Sequence, residues 1–326
     1  MWSLETTKQP TCSACSEEAR SVELIRRSIG RMRKVLKARK IFKNWLSATA
    51  EYVLWRVGLK AMSGLKVVCT SEEALYIEPE FYGRIIRGYY YGSLKSIECK
   101  NGLLHLNGLQ ILPTPLFNGY YWDIGCAKFV RFEGEARSPI IDVFIEQVYG
   151  HIDPRGRVIV DVGAFVGDSA IYFALRGAKK VIAIEPQPRA YKEMLENIEL
   201  NNVRDRVVPV NAGLASRPGF VVVKDTNTDA SQRPSRKVVK AVTLEQVVRD
   251  YNVEPDVLKM DCEGCEFDVI VNDYEHVRLF KELIFEYHEG GRLRLANIMD
   301  LLSNDYRCRL IEKRANLGLV HCIRKY

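Results

Sequence analysis

Asp161–Val162–Gly163–Ala164–Phe165–Val166–Gly167–Asp168 is the stretch that decides the fold. An apolar run, Val158–Ile159–Val160, leads into it, and a helix-like run from Ser169 to Leu175 leads out. A second apolar run over 181–184 ends on Glu185. Strand, glycine turn, helix, strand, acid is the order in which an open α/β sheet builds a nucleoside pocket. Gly163 and Gly167 let the backbone approach a ligand with no Cβ in the way. Their spacing is Asp–x–Gly–x–x–x–Gly, not the Gly–x–Gly–x–x–Gly that cradles a pyrophosphate. Asp161 and Asp168 flank the turn, where they repel pyrophosphate and suit a ligand bearing an amine and a sulfonium.

Around this stretch the pattern is regular. Strands are expected at 157–162, 181–185, 207–212, 256–261 and 282–288, with helices at 168–177, 188–201 and 292–303. Thr243–Leu–Glu–Gln246 reads as a capping box that opens a further helix. The turn-rich stretch 224–231 reads as a hairpin tip, and 306–313 with 317–324 as a terminal antiparallel pair. Alternation of strands and helices implies a mostly parallel, Rossmann-like sheet with helices on both faces. Ligands of such sheets sit beyond the carboxyl ends of the strands. Glu185, followed by Pro186, is placed to accept hydrogen bonds from two ribose hydroxyls, and Asn211–Ala212 to meet an adenine edge. With Asp161, Gly163, Ala164, Gly167 and Asp168 they make up the expected cofactor site.

The chain has 326 residues, 47% of them apolar and 27% charged, enough for a sizeable core. Its net charge of +7 is unevenly placed: residues 20–60 hold twelve Lys/Arg against Glu23 and Glu51 alone. Three parts are expected: a basic helical arm over 1–62, a β-rich cap over 63–139 and the α/β domain over 140–326. In the arm, Leu24, Ile25, Ile29, Met32, Leu36, Ile41, Trp45 and Leu46 recur at helical spacing. Packing on the domain is the default reading of that stripe. Peripheral contact of 20–60 with an anionic membrane comes next, and nucleic acid is disfavoured because no binding motif accompanies the charge. In the cap, Tyr82, Tyr89, Tyr90, Tyr91, Phe117, Tyr120, Tyr121 and Trp122 are read first as core and second as the lining of a substrate mouth. Nine scattered cysteines and no signal-like start imply reduced thiols and a cytoplasmic protein.

A second motif follows the first by about a hundred residues: Leu258–Lys259–Met260–Asp261–Cys262–Glu263–Gly264–Cys265–Glu266–Phe267–Asp268–Val269–Ile270. It resembles the Lys–Ile–Asp–Val–Glu–Gly–x–Glu signature of the FkbM-type family of class I S-adenosylmethionine-dependent methyltransferases. Val160 to Gly167, Ile184–Glu185–Pro186, Glu196–Asn197 and Asn201–Asn202 resemble that family's earlier motifs. The likeness covers roughly 140–290. It implies S-adenosylmethionine as cofactor and O-methylation of a sugar, glycolipid or secondary metabolite. A hydroxyl nucleophile needs a general base. Asp261 is the first candidate, with Glu263, Glu286 and His288 at nearby strand ends. A divalent metal held by Asp261 with Glu286 or His288 is the rival reading and is not favoured, since no tight ligand spacing demands it. Glu266 is read as an acid at a helix N-terminus. Cys262 and Cys265 are read as small buried apolar residues, ahead of a zinc site shared with Cys12 and Cys15. A nucleotide-dependent oxidoreductase on a similar sheet and a non-catalytic adaptor working through the arm are the alternatives. The residues do not fix the oligomeric state.

Overall fold

A computed structural model describes residues 36–225, 235–288, 295–313 and 317–325. In chain order it begins with a short 3₁₀ turn, Ala38–Lys40, and helix α1, Trp45–Arg56. The hairpin β1, Leu65–Val68, and β2, Ala74–Ile77, comes next, followed by helix α2, Pro79–Tyr91. Five antiparallel strands then form a meander: β3 Ile97–Lys100, β4 Leu103–Leu106, β5 Leu109–Phe117, β6 Trp122–Gly125 and β7 Lys128–Phe129. Helix α3, Arg137–Ile141, continues as a π-helical turn, Asp142–Glu146, and leads into the main sheet.

That sheet opens with β8, Val158–Val162, α4, Asp168–Leu175, β9, Lys180–Ile184, α5, Pro188–Leu200, and β10, Val207–Val210. An excursion follows, made of β11, Gly213–Leu214, β12, Gly219–Asp225, and β13, Ser235–Val242; β12 and β13 are an antiparallel pair. Helix α6, Leu244–Asp250, β14, Val257–Met260, α7, Cys265–Asn272, and the single turn α8, Tyr274–Val277, return the chain to the sheet. It closes with β15, Glu282–His288, α9, Leu295–Leu302, β16, Tyr306–Lys313, and β17, Leu317–Arg324.

The seven strands lie in the order β10-β9-β8-β14-β15-β17-β16. All pairings from β10 to β15 are parallel, and β17 alone runs against its neighbours. The order reverses between β8 and β14. This is the topological switch point of an open α/β sheet, where a crevice opens beyond the strand ends. β8 and β14 are buried at every position, as parallel strands covered on both faces must be. The Thr243–Gln246 capping box is formed in both directions. Buried side chains from Ala38 through the meander, α2 and the π-turn form one hydrophobic cluster with α4 and one face of the sheet.

Three expectations change. The cap region, expected to be β-rich, also contains a 13-residue helix, α2. The arm breaks at 41–44 before α1, so what is described of it is not one continuous helix; residues 1–35 lie outside the described residues, as do Cys12 and Cys15. The thiols are not all reduced: Cys69–Cys99, Cys262–Cys265 and Cys308–Cys322 are disulfide-bonded, and Cys126 is free. Cys308 and Cys322 face each other in the register of the antiparallel pair β16 and β17. Among the described residues no helix is long and apolar enough to cross a membrane.

Candidate active site

The two motifs meet at the switch point, and a buried lysine joins them. Lys259, on β14, is 1% exposed. Its Nζ lies 2.8 Å from Asp161 Oδ1 on β8. The same ammonium donates to the carbonyls of Gly163 at 2.8 Å and Val162 at 3.2 Å. Burial alone would lower its pKa, but Asp161 and Asp261 hold it above the ordinary lysine value. Asp161 also accepts from Ser169 Oγ at 2.6 Å. The acid that opens the first motif is thus held beneath the turn and anchors it to β14.

Gly163 has a φ of +73°, and a Cβ there would sit 1.8 Å from the Asp261 carbonyl oxygen. The close approach that demands glycine is therefore to the neighbouring strand end. Gly167 caps α4 with a φ of +86°. Ala164 is fully buried behind the turn. Asp168, the first residue of α4, faces the crevice; burial, with Asp161 and Asp261 nearby, pushes its carboxyl up to about 7 against the pull of Lys259.

Glu185 lies just past the end of β9 and is 6% exposed. One oxygen accepts from the Phe165 amide at 2.8 Å and the other from the Gln187 amide at 2.7 Å. Burial nevertheless raises its pKa. A carboxylate oxygen has two acceptor sites, so both remain competent to receive a ligand hydroxyl. Asn211, just past β10, donates to the Glu185 carbonyl at 2.9 Å, and Ala212 beside it is buried. Pro186 and Pro188 set the chain that enters α5. The acceptor geometry at Glu185 and the acids around the crevice fit a nucleoside diol bearing a cationic sulfur.

Beyond β8, β14 and β15 is a cavity of about 300 Å³. Among the described residues its wall carries Asp142, Asp168, Asp261, Glu263, Glu286 and Glu312 and no lysine or arginine; Asp142 pairs with Arg84 and Glu312 with Arg87. The residues expected to be catalytic come together here. Asp261, Glu263 and Glu286 line the cavity, and His288 Nε2 lies 3.6 Å from both Glu263 Oε2 and Glu286 Oε1. Burial and the charges of Asp261, Glu263, Asp142 and Glu312 push the Glu286 carboxyl up to about 8. Donor atoms of Asp261, Glu263 and His288 lie within 4.8 Å of one another, a spacing compatible with a hard cation.

Glu266 is buried and accepts from the Cys262 amide at 2.7 Å and the Gly264 amide at 2.8 Å. It braces the 262–264 turn, the helix-terminal role read from its position. The Cys262–Cys265 disulfide spans the same turn.

Two functional candidates were not evident in the sequence. One is Lys259, whose partner lies across the sheet. The other is Tyr149, whose hydroxyl donates to Asp261 Oδ2 at 3.3 Å. Burial and the surrounding acids raise the Tyr149 phenol well above its ordinary value, so it stays a donor. The cap aromatics do not line this cavity. Tyr82 is core, bonded to Thr49 at 2.6 Å, while Trp122 borders a separate cavity of about 320 Å³ with Trp55.

Residues 161–308 match the family model of the methyltransferase FkbM domain. The chain carries an FkbM methyltransferase domain. The match spans both motifs and the crevice between them. Among curated proteins, the chain is 38% identical to the ribosomal protein L11 methyltransferase of Geobacter sp. (strain M21) over 76 residues, 23% of this chain and 25% of that one. It is 24% identical to methyltransferase sdnD of Sordaria araneosa over 201 residues, 49% of this chain and 78% of that one. It is 26% identical to the hexuronic acid methyltransferase AglP of Haloferax volcanii over 139 residues, 41% of this chain and 56% of that one. The chain thus spans a quarter of the first relative's length and a little over half of the third's.

Proposed function

We propose that the protein transfers a methyl group from S-adenosylmethionine to a hydroxyl of a neutral acceptor: a sugar, glycolipid or secondary metabolite. The observation that carries this reading is the carboxylate-walled cavity beside the glycine turn. Nucleic-acid acceptors are held by lysine and arginine on their phosphates. Among the described residues that line the cavity, six acids and no base offer phosphates no counter-charge of their own, since Arg84 and Arg87 are taken up by Asp142 and Glu312, and the acids suit hydroxyls, which donate to carboxylates.

When bound, S-adenosylmethionine supplies a methyl already activated by its sulfonium, so positioning does most of the work. Glu185, Asn211–Ala212 and the 163–168 turn are the residues that would hold it. Asp261 takes the proton of the acceptor hydroxyl and so frees that oxygen for a methyl, which bound S-adenosylmethionine would supply with its thioether as leaving group. Tyr149 fixes the Asp261 carboxylate through its hydroxyl. Glu286, holding a proton at neutral pH, donates to an acceptor oxygen and orients it. A second reading, a divalent ion on Asp261, Glu263 and His288 that acidifies the hydroxyl, is favoured by their spacing alone.

The test is transfer of labelled methyl from S-adenosylmethionine to separate pools of neutral glycans and lipids, RNA and protein. Label in the neutral hydroxyl pool is expected. Label confined to RNA or protein overturns the proposal. Loss of turnover on chelation, restored by magnesium, selects the metal reading.

A further inference from the structure

Helix α1 turns an apolar face away from the protein. Its inner side packs on β1 and α2: Ala48 is buried, Thr49 bonds Tyr82, and Tyr52 lies against Gly83. Its outer side carries Leu46 at 67%, Val53 at 48%, Leu54 at 40% and Val57 at 61% exposure, and Leu59 beyond the helix end is 76% exposed. With exposed Ala50 the positions run 46, 50, 53, 54 and 57, one continuous helical stripe. Soluble proteins scatter exposed apolar residues singly, and a contiguous stripe marks a contact surface.

The charge around the stripe selects its occupant. Between residues 36 and 62 there are six bases, Lys37, Arg39, Lys40, Lys43, Arg56 and Lys60, against one acid, Glu51. All six are exposed. Two have acidic neighbours, Lys43 with Glu72 and Lys60 with Glu51. A second copy of this chain, docked about a two-fold axis, would set this basic border against itself. Residues 20–34 carry six further bases and so the same sign of charge. An anionic bilayer offers both complements, acyl chain for the stripe and headgroup charge for its border. We infer that α1 and its basic flanks are a peripheral docking surface for an anionic membrane, on which the helix lies without crossing. The inference is independent of the methyl acceptor, because none of these residues lines the acid-walled cavity.

The full chain is sedimented with vesicles of phosphatidylcholine alone and of phosphatidylcholine with phosphatidylglycerol. Binding is expected to the anionic vesicles and to weaken with salt. A Leu46→Gln/Val53→Gln/Leu54→Gln variant should lose about ten-fold or more in partitioning. Its substitutions lie at exposed positions, and unchanged S-adenosylmethionine affinity checks that the fold is kept. Arg39→Gln/Lys40→Gln should weaken anionic binding only. Failure of the wild-type chain to bind anionic vesicles overturns the inference, as does undiminished binding by the triple variant. A wild-type dimer that the triple variant converts to monomer also overturns it and assigns the face to a second copy.

Discussion

Lys259→Met removes the ammonium that ties β14 to the first-motif turn and leaves a methionine of similar length in its place. Both partners of the ion pair are essentially inaccessible, at 1% for Lys259 and 0% for Asp161, so solvent screening offers no discount. Taking away one member of such a pair strands the other in a site that cannot hydrate it, at a cost of about 3–5 kcal/mol. Asp161 keeps its bond from Ser169 but loses its counter-charge, and the carbonyls of Val162 and Gly163 lose a donor. Lys259→Met/Asp161→Asn removes the stranded charge while preserving an acceptor for Ser169. The double variant should therefore be more stable than the single by about 1 kcal/mol or more, the coupling expected of groups in contact. Urea unfolding at constant m-value measures both. The same variants should bind S-adenosylmethionine more weakly, since the turn they loosen carries the cofactor residues. A loss below about 1 kcal/mol for Lys259→Met, or strict additivity in the double variant, would refute an anchoring role for the pair.

Gly163→Ala should destabilise by more than the roughly 1–3 kcal/mol of a left-handed non-glycine residue, because its Cβ also meets the Asp261 carbonyl at 1.8 Å; thermal unfolding and cofactor titration check it. Tyr149→Phe should lower kcat by less than about ten-fold with cofactor affinity unchanged, since a single 3.3 Å hydrogen bond to Asp261 is lost. For Glu286, the folded-state pKa of about 8 lies above the ordinary carboxylate value. The folded state then holds a proton that the unfolded state releases, so this contribution to stability is complete in acid and is lost as pH rises toward 8. Thermal midpoints followed from pH 5 to 9 should accordingly fall less steeply in Glu286→Gln than in the wild-type protein; parallel profiles would deny Glu286 its shift.

The turn from Asp161 to Asp168 was legible because its signals are local: an apolar run, two glycines at fixed spacing and a helix start. The terminal strand pair and the Thr243 capping box were legible for the same reason. Helix α2 was not, because Phe81–Tyr82–Gly83 and Gly88–Tyr89–Tyr90–Tyr91 have the composition of strands and turns. Its glycines answer to packing, Gly83 against Tyr52 and Gly88 against the Glu146 carbonyl. The readable sign was the asymmetry of its ends, Pro79 in the first turn and left-handed Gly92 at the last. Gathering Asp261, Glu263, Glu286 and His288 at one mouth could be foreseen, since each lies at or just past the carboxyl end of a strand. The pairing of Lys259 with Asp161 could not, because it depends on which strands become neighbours. The same holds for Cys69–Cys99, whose partner is set by folding and not by spacing; Cys308–Cys322 lies across the terminal strand pair, so only its register was hidden.

Calorimetric titration with S-adenosylmethionine, S-adenosylhomocysteine and NAD tests the central claim most directly. The account predicts saturable one-to-one binding of both adenosyl ligands, none of NAD, and an affinity reduced about ten-fold or more in Glu185→Ala, where hydroxyl acceptors in a buried site are removed. Absence of heat with either adenosyl ligand, or full affinity in Glu185→Ala, would contradict it.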